Sequence, residues 1–193
     1  MITFPQPLKI LSGIALLLTI EIAHADDQNI PALRMSELFF ERCVSSILDE
    51  QLVNGDGLDP LPKETALSIG ATTGRAWMPF DAHVSLADLQ STEGGFYGCQ
   101  VRWHSLAADN RGATINYGQV IEAFTTWADA GVSQGTLSAI KQCGDRNEKY
   151  LRVVESRTER SQPGRFVISY DSSIDFIFLM AGETDVVGDE EAC

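Results

Sequence analysis

The stretch Tyr150-Leu-Arg-Val-Val-Glu-Ser-Arg157, then Arg165-Phe-Val-Ile-Ser-Tyr-Asp171 after Pro163-Gly164, then Ile174-Asp-Phe-Ile-Phe-Leu-Met-Ala181, decides the fold class. The first two runs are rich in β-branched and aromatic residues and flank a Pro-Gly loop, the pattern of an antiparallel hairpin. The third run is apolar on both faces, with Phe176, Phe178 and Met180 on one and Ile177 and Leu179 on the other. A strand of that kind is buried on both sides and sits centrally in a sheet. The hairpin takes one of its edges. A further strand must take the other, and Phe96 to His104, entered through Gly94-Gly95, fits that place. Ala76-Trp77-Met78-Pro79-Phe80 is a weaker strand, restricted by Pro79 to an edge or a strand end.

Two helices complete the reading. Asn116 opens one, with Gln119 at capping-box spacing, and Val120, Ile121, Phe124, Trp127 and Ala128 form its apolar stripe until Gly131 ends it. The other is expected from an N-cap at Ser36, supported by Glu37, to about Leu52. Its stripe is Phe40, Val44, Ile47 and Leu48, and Asn54-Gly55-Asp56-Gly57 stops it. Residues 26–35 read as a polar leader. The expected architecture is α+β: an antiparallel sheet with two main helices packed against it, in a disulfide-stabilised single domain.

Met1 to Ala25 reads as a signal peptide. Lys9 supplies the positive charge, Ile10 to Ile20 the apolar segment, and Ala23-His24-Ala25 the cleavage site. The apolar segment is too short to span a bilayer, which takes roughly 20 residues. Cleavage after Ala25 takes 25 residues from the 193 and leaves 168, from Asp26 to Cys193, with an acidic C-terminal tail. The expected localisation is periplasmic or secreted, with no membrane attachment after cleavage.

The four cysteines agree with an oxidising compartment, because all lie beyond the cleavage point and none forms a C-x-x-C pair. Three pairings are possible. Cys43 lies on the apolar stripe of the first helix, and Cys99 shares a strand face with Val101 and Trp103. Both point toward the core, which favours Cys43–Cys99 with Cys143–Cys193. A free or intermolecular Cys193 is the competing reading.

The spacing Phe39-Phe40-x-x-Cys43, Gly98-Cys99-x-Val101, a Phe124/Trp127 helix and a strand-rich end resembles small exported proteins of unknown function from alphaproteobacteria. The resemblance implies a bacterial periplasmic setting. It carries no activity and no site residue.

Hydrophobic residues make up 44% and charged residues 21%, a globular balance that excludes wholesale disorder. Fourteen Lys and Arg face 27 Asp and Glu, a net charge of −13, which argues against nucleic acid as a partner. Charge is uneven, however. Residues 141–165 hold seven basic side chains against four acidic ones, a local +3 on a remainder of −16. Arg152, Arg157, Arg160 and Arg165 are therefore the candidate binding residues for an anionic group. The alternative is that they pair with neighbouring acids and only solubilise the hairpin.

Catalytic patterns fare poorly. Ser138-Ala139-Ile140-Lys141 matches S-x-x-K, in which a helix would bring a lysine to a nucleophilic serine, but no K-T-G follows it. Asp81-x-His83 has no third ligand at a metal-binding spacing. In Asn54 to Asp59, an EF-hand register centred on Gly57 would place Leu52 and Lys63 where acids belong. The expectation is an exported binding or accessory protein, non-catalytic and without a cofactor or metal. Its suggested partner is a cationic periplasmic or extracellular protein. The alternatives are a hydrolase using Ser138 and Lys141, and a structural envelope protein.

Overall fold

A computed structural model describes residues 29–79, 83–89, 98–104, 114–157 and 163–183. Among these, eight strands form one antiparallel sheet. They are β1 (Asp59–Pro60), β2 (Ala76–Met78), β3 (Val84–Asp88), β4 (Gly98–Trp103), β5 (Leu137–Asp145), β6 (Lys149–Ser156), β7 (Gly164–Asp171) and β8 (Phe176–Glu183), in the order β1-β2-β3-β4-β8-β7-β6-β5. The strand expected to be central is central. β8 pairs with β7 on one side and with β4 on the other, Leu179 standing opposite both Ile168 and Val101. The hairpin of β6 and β7 pairs Val153 with Val167. β2 stops at Met78, one residue before Pro79, whose missing N–H cannot extend a ladder.

The first helix, α1, is built from three consecutive pieces: Asn29–Leu38, a π-wound turn Phe39–Val44, and Ser45–Leu48. It begins earlier and ends earlier than its sequence suggested. Ala32 and Met35 extend the buried stripe toward the N-terminus, so the expected leader is helical from Asn29. Ser36 is therefore inside the helix, where its hydroxyl donates to the Ala32 carbonyl at 3.0 Å rather than capping an end. Phe39, not Phe40, is the fully buried aromatic of the pair.

Helix α3 (Tyr117–Gln134) is capped by the Asn116 side chain, which accepts from the Gln119 N–H at 3.2 Å. It continues past Gly131 to a left-handed cap at Gly135. Gly131 is instead a packing glycine, since a Cβ there would overlap the Leu137 side chain. A short helix, α2 (Lys63–Ser68), follows Pro62.

Helices α1 and α3 share one face of the sheet and enclose the main core. Phe39 lies 5.8 Å from Phe124, and Trp127 stands edge-on to Phe166 at 5.2 Å between centroids. Cys43 on α1 is bonded to Cys99 on β4, with Cα atoms 5.3 Å apart, as the burial argument expected. Closing that loop stabilises the fold by about 4 kcal/mol if the effect is purely one of chain entropy. The other proposed pairing involves Cys193, which lies outside the described residues. Arg160 and the signal segment also lie outside them.

The opposite face carries two smaller clusters. Leu151, Val153, Val167 and Phe178 form one on β6, β7 and β8. Ala66, Ala71, Ala76 and Ala87 form the other, where α2 lies on β2 and β3. The small alanines let α2 approach the strands closely. No helix among the described residues is long and apolar enough to cross a membrane.

Candidate functional site

Among the described residues, the candidate arginines of the hairpin do not all lie on one face. Side chains alternate across a strand, so Arg152 and Arg165 emerge on opposite faces of the sheet. Arg152 points under α3. It is 5% exposed, and its guanidinium donates to Asp129 at 2.5 Å and to the Thr125 carbonyl at 3.4 Å. The hydrogen bond from Arg152 holds the Asp129 carboxyl below its ordinary range. Arg165 pairs with the cross-strand Glu155 at 3.4 Å. Arg157 donates through Nε to the Ser138 hydroxyl at 2.6 Å. Arg152 is thus committed inside the molecule, and only Arg157 and Arg165 of the described candidates share the outer face.

Ser138 and Lys141 are not on a helix. They belong to β5, whose register breaks between Ala139 and Lys141. The helical i, i+3 juxtaposition that gave S-x-x-K its chemical meaning is absent, and the serine oxygen is engaged by a guanidinium. Among the described residues no three His, Cys, Asp or Glu side chains converge as a metal site.

A better site lies on the sheet face opposite α1 and α3. There a cleft of about 580 Å³ opens between α2 and the start of β8. Its volume falls in the range of small-molecule pockets, roughly 300–1,000 Å³. Leu61, Thr65 and Ile69 form one wall, Ile174 and Phe176 the other, and Met78, Arg102 and His104 contribute to the floor.

Each group is there for a local reason. Cys99, Val101 and Trp103 turn to the main core, so Gln100 and Arg102 face the other way. Beyond the end of β4, the His104 N–H still bonds to the His83 carbonyl at 3.2 Å, which keeps the chain in register. The His104 ring stands 2.7 Å from the Ser85 hydroxyl through Nε2. Burial, with Arg102 and His83 nearby, lowers its pKa from 6.5 to about 4, so the imidazole is neutral at physiological pH.

The Ser85–His104 pair has the separation of a nucleophile and its base. Ser85, however, is 1% exposed and does not line the cleft. A hydroxyl without approach from solvent is a structural partner, and it fixes the ring of His104 against the floor.

Arg102 is the cation of the cleft. Its guanidinium carbon lies 4.7 Å from the centroid of Phe176, a cation–π contact. Among the described residues no carboxylate pairs with it. Asp175, at the rim, instead accepts from the Tyr117 hydroxyl, in a left-handed conformation with φ of 49°. The cleft therefore offers apolar walls, one half-buried guanidinium fork, a neutral imidazole and, at its exposed edge, the Asp175 carboxylate.

The signal for Arg102 was present in the alternation of residues 98–104, where Gln100, Arg102 and His104 oppose the core-facing Cys99, Val101 and Trp103. Its walls were not legible, because they come from segments far apart in sequence. Comparisons with family models, with curated proteins and with solved structures find no match for this chain.

Proposed function

We propose that the protein is an exported, non-catalytic binding module, and that the cleft between α2 and β8 is where it binds. The carrying observation is the apolar cleft of about 580 Å³, floored by a rigid sheet and lined by Leu61, Ile69, Met78 and Phe176. Burying an apolar body there releases water from those walls, at roughly 25 cal/mol per Å² of area covered. The disulfide between Cys43 and Cys99 supports an oxidising compartment. The signal-like segment before Asp26 and the resemblance to small exported alphaproteobacterial proteins support the same setting.

The test uses the mature protein and a neutral apolar fluorophore, N-phenyl-1-naphthylamine. One dye is expected to bind per chain with enhanced emission. Thr65→Trp, an exposed position on the cleft wall, is expected to weaken binding at least tenfold by filling the space. Absence of saturable binding, or binding indifferent to Thr65→Trp, overturns the reading.

A second reading rests on the net charge of −13 and takes a cationic envelope-directed protein as the partner. Such binding weakens steeply with salt and does not depend on Thr65, so the same variant separates the two.

A further inference from the structure

We propose that the cleft selects an amphiphile with an oxyanion head, a carboxylate or phosphate ester on an alkyl or aryl body, and that Arg102 receives the head. This rests on the cleft being the binding site and names the class of ligand it takes.

The geometry supplies both halves of such a ligand. Phe176, Ile69, Leu61 and Met78 offer an apolar surface for the body. Arg102 stands on the floor beside Phe176, with five donors in a planar fork that matches the oxygens of a carboxylate or phosphate. Among the described residues none of these donors is spent on a carboxylate. A guanidinium in a partly desolvated apolar setting costs free energy unless an anion or several acceptors compensate it. Its contact with the face of Phe176 orients the fork while leaving the donors along its edge.

The neighbours favour an anion over a cation at this point. His104 adds no charge, because burial beside Arg102 keeps it neutral. Asp175 also lines the cleft, and the hydrogen bond it accepts from the Tyr117 hydroxyl disperses part of its charge, so the head is received on the Arg102 side. The acidity of the whole molecule does not reverse this local preference. Charges more than about 8 Å away are screened at physiological ionic strength, whereas a head group in the cleft meets Arg102 at contact.

The test is a calorimetric titration of the full mature chain with decanoate, decyl phosphate, decanol and decyltrimethylammonium. Both anions are expected to bind at least tenfold more tightly than decanol, with the ammonium weakest. Arg102→Gln is expected to abolish that preference, so that within this variant both anions bind no more than about twofold more tightly than decanol. The two anions together tell which head is preferred: a carboxylate advantage points to free fatty or aryl acids, a phosphate advantage to phosphorylated lipids. Decanol binding as tightly as the anions overturns the ligand class and leaves the cleft reading standing. Failure of every amphiphile to bind overturns both. Where Arg102→Gln does not fold, as judged by circular dichroism, the head-group series on the wild-type chain decides alone.

Discussion

His104 shows how a single side chain links the cleft to stability. Its folded pKa is about 4, against 6.5 for the free group, mainly because burial disfavours the imidazolium. As pH falls, the unfolded chain takes up this proton first, so protonation favours unfolding. The stability that His104 contributes is complete above about pH 6.5 and is lost as pH falls toward 4. After allowance for solvent screening of a partly exposed ring, the loss is about 2 kcal/mol. Urea denaturation at intervals between pH 7 and pH 4 is expected to show it, and His104→Gln is expected to flatten the slope. An equal slope in the variant contradicts this account. Asp129 and Asp171 act at lower pH, since their pKa values lie below the ordinary 3.8 and their contribution disappears only below that range. Sequence carried part of this. The parity of residues 99–104 placed His104 on the face away from Trp103, where it lies. The Ser85 contact is not legible in sequence, because Val84–Asp88 is a five-residue run buried on both faces and so lacks the alternation that marks a strand.

Among the elements, local pattern served where one face of a segment is strictly apolar and its ends are marked. Helix α3 has both, with Asn116 at its start, and its stripe is the buried one. Its end was misplaced because Gly131 and Gly135 are equally plausible stops in sequence, and only packing tells them apart. β5 is not legible for a related reason: its apolar residues follow no clean alternation, its register breaks between Ala139 and Lys141, and Ser138 to Lys141 imitates a helical motif. The hairpin joining β5 to β6 makes a prediction of its own. Gly144 has φ of 85°, and a Cβ there would collide with the Lys149 carbonyl, whereas Gly135, with φ of 75°, faces open space. Gly135→Ala is expected to cost about 1 kcal/mol, the penalty of a left-handed conformation alone. Gly144→Ala is expected to cost more than about 3 kcal/mol, since backbone must also move. Thermal and chemical denaturation of the two variants side by side checks the ranking, and equal costs would contradict the tight β5–β6 turn.

For the whole molecule, the α+β architecture and the core-facing Cys43–Cys99 bridge followed from burial direction, because both depend on which face a residue occupies. The cleft followed from neither, because Leu61, Met78, Arg102 and Phe176 come together only through the order of the strands and the placement of α2. The basic hairpin, prominent as a charge count, is divided by the sheet, which sets Arg152 on the core face and Arg165 on the outer one. Among the described residues, the apolar cleft between α2 and β8, with the Arg102 guanidinium within it, is the feature on which the account rests. The most direct test of that claim is a backbone and methyl chemical-shift map of the isotopically labelled mature protein titrated with decanoate. Saturable shifts are expected at Leu61, Ile69, Arg102, Ile174 and Phe176, with β5 and the outer surface of α3 unmoved. Shifts centred on Arg157 and Arg165, or spread without a focus, would contradict it.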